Sequence, residues 1–142
     1  MRNAIKAQSG NTAVELALVL PLLMLILLGT ADFGRGFAQW IAIQQAARSG
    51  TQYASVDTTH YLDTAGTETA ALADIPNIAG ATATATSYCT CGWSGQFDCS
   101  VVCSSKRQYM QVVVQANFTT IAPYPGIPAT TAVTAKSIMR LK

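Results

Sequence analysis

The 142 residues suit one domain plus an anchor, since about 45 helical residues set aside leave roughly 95 for a globular part with a small core. The formal net charge is +2, and both excess charges, Arg2 and Lys6, sit in the first ten residues. Seven bases then face seven acids in the remainder, which excludes a general nucleic-acid-binding footprint.

The chain opens on a short basic leader, MRNAIKAQSG, residues 1–10. Residues 16–31 carry no charge, and eight of the thirteen in 16–28 are leucine, so this run is a candidate for membrane insertion. Sixteen helical residues reach only about 24 Å of the roughly 30 Å hydrocarbon core. Crossing therefore recruits residues 11–15, and with them Glu15. A carboxylate at mid-membrane costs about 2.5–3.5 kcal/mol, less near an interface, whereas each Leu, Ile or Val contributes about 0.3–0.6 kcal/mol. The ten such residues that follow Glu15 in the run outweigh it, and an acid kept at the edge of the run calls for a partner. With Arg2 and Lys6 before the run and Asp32 just beyond it, the positive-inside rule leaves the N-terminus in the cytoplasm and exports the rest. Gly29, Thr30 and Ala31 also offer a secretory peptidase small residues at a cleavage site. Glu15, Pro21 and a helical pattern that runs through the site speak against that alternative. Pro21 removes a backbone donor inside the helix and is expected to kink it rather than end it.

Past Asp32, Phe33, Phe37, Trp40, Ile41, Gln44 and Ala47 recur at helical spacing, and Arg35, Gln39 and Arg48 lie elsewhere. This stripe is expected to pack on the chain's own sheet, with contact to neighbouring subunits as the alternative. Gly50 either caps the helix or is passed over until about Tyr53. Residues 55–66 read as loop, and a short helix is expected over 68–74, before Pro76. Alternating Ala and Thr at 81–86 predict a strand.

Cys89, Cys91, Cys99 and Cys103 follow within fifteen residues. An even count behind an export signal points to disulfides in an oxidising compartment. Three connectivities exist. A Cys89–Cys91 bridge is strained, and the nested pairing, Cys89 with Cys103 and Cys91 with Cys99, is favoured over the crossed one. Four thiolates are also a zinc set, although C-x-C and C-x3-C are not the common paired spacing, so no metal is expected. Trp93 and Phe97 inside this stapled loop form either a miniature core or an exposed contact. In 109–120, Met110, Val112, Val114, Ala116 and Phe118 share one face of a strand. Residues 123–128, with three prolines, break it, and a second strand over 130–141 sets Val133, Ala135, Met139 and Leu141 on one face. The resulting hairpin is expected to cover the amphipathic half of the long helix. The fold class expected is α+β: a long N-terminal helix, membrane-embedded in its first half, packed on a small antiparallel sheet with a disulfide-stapled loop. The divisions are a leader over 1–10, the helix over 11–54 and an exported β-rich head over 55–142.

Charge is segregated along the chain: residues 49–98 hold five acids and no base, and 99–142 five bases and no acid. Solvated surface charge accounts for this, as does a polar surface for a neighbour. No catalytic constellation is present. His60 is the one histidine, its spacing to Asp57 and Asp63 is a weak metal signal, and phosphate-loop, G-x-S-x-G and H-E-x-x-H patterns are missing. No enzyme activity and no cofactor are expected.

A basic leader ending in Gly10, then NTAVE with Glu15, then an apolar helix resembles the prepilin signal of type IV pilins and pseudopilins. The continuation VELALVLPLLMLILLGTADFGRGFAQWIAIQQAARSGTQYA resembles the N-terminal region of TadE-like proteins, minor pseudopilins of tight-adherence pilus systems. The order ValGlu-LeuAla-LeuPro, the step from Asp32 to Arg35 and the AlaAlaArg-Gly turn at 46–50 carry the likeness, and residues 134–140 are similar to that family's C-terminal strand. Leu16 departs from it, standing where an aromatic is frequent. The resemblance implies a structural protein of the inner membrane with a periplasmic or extracellular head, acting in pilus initiation, tip or assembly. It further implies cleavage between Gly10 and Asn11 by a prepilin peptidase, and pairing of the new α-amino group with Glu15 of the same or an adjacent subunit, where register is the benefit. The partners implied are other pilins, an inner-membrane assembly platform and membrane lipid, with no nucleic acid. The alternative is an adhesin or binding module that uses the cysteine-stapled loop.

Overall fold

A computed structural model describes residues 9–92 and 95–141. The leader as far as Gln8 and the aromatic Trp93 lie outside the described residues. The chain forms two compact units, Met1–Arg35 and Gly36–Lys142.

Helix α1 runs Ser9–Ala54 and carries Pro21 inside it. The proline removes the donor for the Ala17 carbonyl, yet the leucine-rich sequence on both sides favours helix strongly enough that the element continues. Within the first unit every residue from 12 to 28 is exposed. Thr30 turns its hydroxyl back on the helix, donating to the Ile26 and Leu27 carbonyls at 3.0 and 2.9 Å.

In the second unit, residues 36–54 of α1 are followed by α2 (Thr58–Leu62), α3 (Thr64–Ala73) and the strands β1 (Thr82–Cys91), β2 (Gln96–Phe97), β3 (Lys106–Thr119) and β4 (Thr130–Arg140). The strands form one antiparallel sheet in the order β2-β1-β3-β4. Its register aligns Ala83 with Val114 and Val114 with Ala135. Because side chains alternate along a strand, Met110, Val112, Val114 and Ala116 all reach one face, as their spacing predicts, and are buried there.

Ile43, Ala46, Ala47 and Ala54 of α1 and Ala71 of α3 complete the core with that face. The helix contributes small residues because the strands contribute the bulk. At Gly50 a Cβ would meet Ala71 Cβ at 3.0 Å, the Thr67 carbonyl at 3.1 Å and Val112 Cγ1 at 3.2 Å, so α1 passes through this glycine to let α3 and β3 close on it. Thr51 is fully buried and satisfied: its hydroxyl bonds the Arg48 carbonyl at 2.9 Å and meets Ser137 Oγ at 3.0 Å.

Three expectations are corrected. The aromatic stripe does not supply the core: Phe37, Trp40 and Ile41 are 53%, 42% and 38% exposed, while the buried face is set by Ile43, Ala46, Ala47, Gly50, Thr51 and Ala54. Hydrophobicity favoured the larger side chains, but close approach of helix to sheet selects the smaller ones. The segment 55–66 is not loop throughout, because Asp57 caps α2, accepting from the Thr59 and His60 N–H groups at 2.8 and 2.9 Å, and Asp63 caps α3 through the Gly66 N–H at 2.8 Å. Finally, β1 does not stop at 86 but carries Cys89 and Cys91 into the sheet. β2 pairs only with Cys89 and Thr90, and on the stretch of β1 it does not reach, the Glu68 carboxylate accepts the Ala85 N–H at 2.9 Å.

Candidate functional site

Three regions carry the residues singled out from the sequence. The first is the apolar helix of the first unit. Gly10 and Asn11 fall within α1. Glu15 and the leucines after it are exposed, Leu18 by 76%. Asp32 and Arg35, one turn apart, pair at 3.2 Å. Among the described residues this is the one helix long and apolar enough to cross a membrane.

The second region is the acidic segment after α1. Asp57 accepts from His60 Nδ1 at 2.7 Å as well as from two backbone N–H groups. The His60 N–H, then the His60 ring, hold the Asp57 carboxyl well below the usual carboxylate range. Tyr53 stands edge-on to His60, ring centroids 4.6 Å apart, and donates to Asp63 Oδ2 at 3.2 Å. Desolvation first and the neighbouring Asp63 second push the Tyr53 hydroxyl up. Asp57 and Asp63 thus serve as helix caps on separate partners and do not converge on a common point. No group of three metal-ligating side chains occurs among the described residues. The carboxylates of Asp57 and Asp63 do local structural work, each capping a helix.

The third region is the cysteine segment, and its pairing is crossed rather than nested: Cys89 bonds Cys99 and Cys91 bonds Cys103. Strand register decides this. β2 sets Phe97 opposite Cys89, and a turn closed by the Val101 N–H on the Asp98 carbonyl at 3.2 Å brings Cys99 back beside it. β3 begins with Lys106 opposite Cys91, so the chain entering β3 passes Cys91 at Cys103. The nested form would carry Cys103 past Cys91 to reach Cys89. Asp98 accepts the Ser100 N–H at 2.8 Å, which lowers its carboxyl, and Lys106 Nζ donates to the Cys99 carbonyl. Phe97 is exposed at the sheet edge, and Val101 and Val102, further along the segment, are exposed as well, Val102 at 95%. Trp93 lies outside the described residues.

One exposed apolar region escaped the sequence reading. The β3–β4 connection, read only as a strand breaker, presents Ile121 and Ile127 at its surface, each 56% exposed. A signal was available: residues 120–129 contain three prolines and no charged residue.

Comparison with curated proteins gives no match, and neither does comparison with solved structures. A family model does match, over the apolar helix and its continuation into the head: residues 10–52 are similar to the TadE-like protein family.

Proposed function

We propose that the chain is a membrane-anchored minor pseudopilin of a tight-adherence pilus system, with a structural role in pilus initiation, tip or assembly. The observation that carries this reading is where the TadE-like match falls. It covers α1 nearly end to end, joining a first half whose large apolar side chains are exposed to a second half that packs into the head. A row of exposed leucines of that length needs lipid or other apolar helices around it.

In this reading the protein is a substrate before it is a subunit. A prepilin peptidase hydrolyses the Gly10–Asn11 bond at the cytoplasmic face, where a residue without a side chain lets the backbone approach catalytic carboxylates. The α-amino group created on Asn11 is then offset by Glu15 of the same or an adjacent subunit, which sets register among packed helices. Pro21 bends the anchor for that packing, and the head stands on the non-cytoplasmic side with its disulfides in an oxidising compartment. Other pilins and the inner-membrane assembly platform are the partners.

Intact mass and N-terminal sequencing of protein purified from its native membrane test this. A mature N-terminus at Asn11 is expected, with Gly10→Trp retaining the leader and Glu15→Ala sparing cleavage more than assembly. A mature N-terminus at Asp32 overturns the reading in favour of ordinary secretion. A second role, as a binding module, is supported by exposure of Phe97, Val101 and Val102 on a segment held by two disulfides. Val102→Asp should then impair adhesion while leaving processing and pilus formation intact.

A further inference from the structure

The hairpin connection between β3 and β4, residues 120–129, is unlike an ordinary solvated turn. Its prolines and glycine are ordinary turn residues, but it has none of the Asn, Asp or Ser that solvated turns also use: it reads Thr-Ile-Ala-Pro-Tyr-Pro-Gly-Ile-Pro-Ala, with no charge at all. Ile121 and Ile127 are exposed, as are Pro123, Pro125 and Pro128, and Tyr124 is half-buried. Its backbone is also poor in donors seeking water. Three of the ten residues are prolines and have no N–H. The Thr120 N–H bonds the Ala129 carbonyl at 3.0 Å, and the Ile127 N–H bonds the Tyr124 carbonyl at 3.1 Å. The second of these closes a Pro-Gly turn in which Gly126 takes a φ of 81°, the conformation that makes glycine the natural residue there. At least half of the ten positions therefore lack a donor or have it satisfied, which lowers the cost of moving the segment out of water.

The position of this tip within the head is set by contacts along β3. Val112 lies against Gly50, while the Phe118 ring lies against Gly36, its Cζ 3.4 Å from where a Cβ would stand. Gln39 Nε2 donates to the Asn117 carbonyl at 3.2 Å. β3 thus runs toward Gly36, and the tip beyond Thr119 sits at the end of the unit where the chain enters it. Gly36 is only six residues past Thr30, near the end of the uncharged run. Even fully extended, six residues span no more than about 20 Å, and as helix about 9 Å.

We propose that the tip of the β3–β4 hairpin seats Ile121, Tyr124 and Ile127 in the boundary between headgroups and acyl chains of the membrane that holds the apolar run. This rests on the reading of that run as a membrane anchor. A lipid surface is the occupant because the short tether keeps the tip near the bilayer, because the tip offers no charge to a protein partner, and because tyrosine with apolar neighbours is the composition of membrane interfaces.

The four native cysteines are paired, so full-length protein carrying Ile127→Cys can be labelled with a polarity-sensitive NBD probe without reduction. Reconstituted in phosphatidylcholine vesicles, the label at 127 should emit at shorter wavelength than in detergent-free buffer. It should also be quenched by spin labels placed at the headgroup and the upper acyl chain. Ile121→Cys should behave alike, while Val102→Cys, at the other end of β3, should show neither effect. Protein that floats with the vesicles but leaves the labels at 121 and 127 as water-exposed as that at 102 overturns the proposal and spares the anchor. A blue shift that lipid quenchers do not touch, and that fades as the protein is diluted in lipid, assigns the tip to a second copy of the chain and also overturns it. Protein that does not float removes the anchor and the proposal together.

Discussion

The two ends of α1 treat apolar residues in opposite ways. In the first unit, Leu18 and Leu25 are 76% and 60% exposed; in the second, the much smaller Ala46 and Ala47 are fully buried. Size and hydrophobicity therefore do not decide which part of this helix forms a core. What decides is whether another element comes close. Beside residues 43–54 the sheet face bearing Met110, Val112 and Val114 fills the space, and only small residues leave room for two backbones to approach. The leucine-rich end is suited to a neighbour that is itself apolar and deformable, which describes lipid or other helices of the same kind.

The sharpest way to break this contrast is to truncate one apolar residue at each end. Ile43→Ala should cost about 2–5 kcal/mol, the usual range for a fully buried side chain of this size. That is a large share of the total stability of a small domain. Leu25→Ala should leave the unfolding of the head unchanged, although it removes a side chain of equal bulk. Thermal unfolding of the full-length protein in detergent, followed by the near-ultraviolet signal of the head, measures both. Equal losses would mean that the two ends are not different environments.

A second test adds atoms instead of removing them. Gly50→Ala introduces a single methyl group into a site whose neighbours stand at 3.0–3.2 Å. Ordinarily this change favours a helix by up to about 1 kcal/mol; here overpacking, typically about 1–3 kcal/mol, should prevail and lower the melting temperature. The same exchange at Gly29, where a Cβ meets nothing within 4 Å, should not.

The smallest effect is expected on the aromatic face. Phe37 and Trp40 stack at 5.9 Å between centroids but remain about half exposed, so Phe37→Ala should cost about 1 kcal/mol or less, the scale of an exposed aromatic pair. A loss as large as that for Ile43→Ala in the same melts would place this face in a core and undo the contrast.

Much of the architecture was legible in local pattern. A run dominated by leucine up to Leu28 and apolar residues at helical spacing past Asp32 both favour helix, so α1 was readable through Pro21 and on into its second half. Period-two alternation at 81–86, 109–120 and 130–141 likewise specifies strands and their inner faces, because a strand's two faces are fixed by chain geometry. The four cysteines announced bridges, and the likeness of the N-terminal segment to the TadE-like family was carried by a contiguous stretch of residues. By contrast, α2 is five residues long, too short for any periodicity, and depends on the Asp57 cap.

What only the tertiary structure decided are the choices between chemically similar options. Residues 36–54 offer an aromatic face and a small-residue face, and both are apolar enough to be buried. The fit of backbone to sheet chose the second, and nothing in the helix itself encodes that fit. The cysteines could pair in nested or crossed fashion at similar ring sizes, and the register that sets Phe97 opposite Cys89 and Lys106 opposite Cys91 selected the crossed form. The apolar tip at 120–129 was visible as composition, but its place beside the Gly36 end of the head follows from which residue of α1 meets Phe118. Periodicity is a property of a segment and can be read from it, whereas partner, register and distance belong to pairs of segments far apart in the chain.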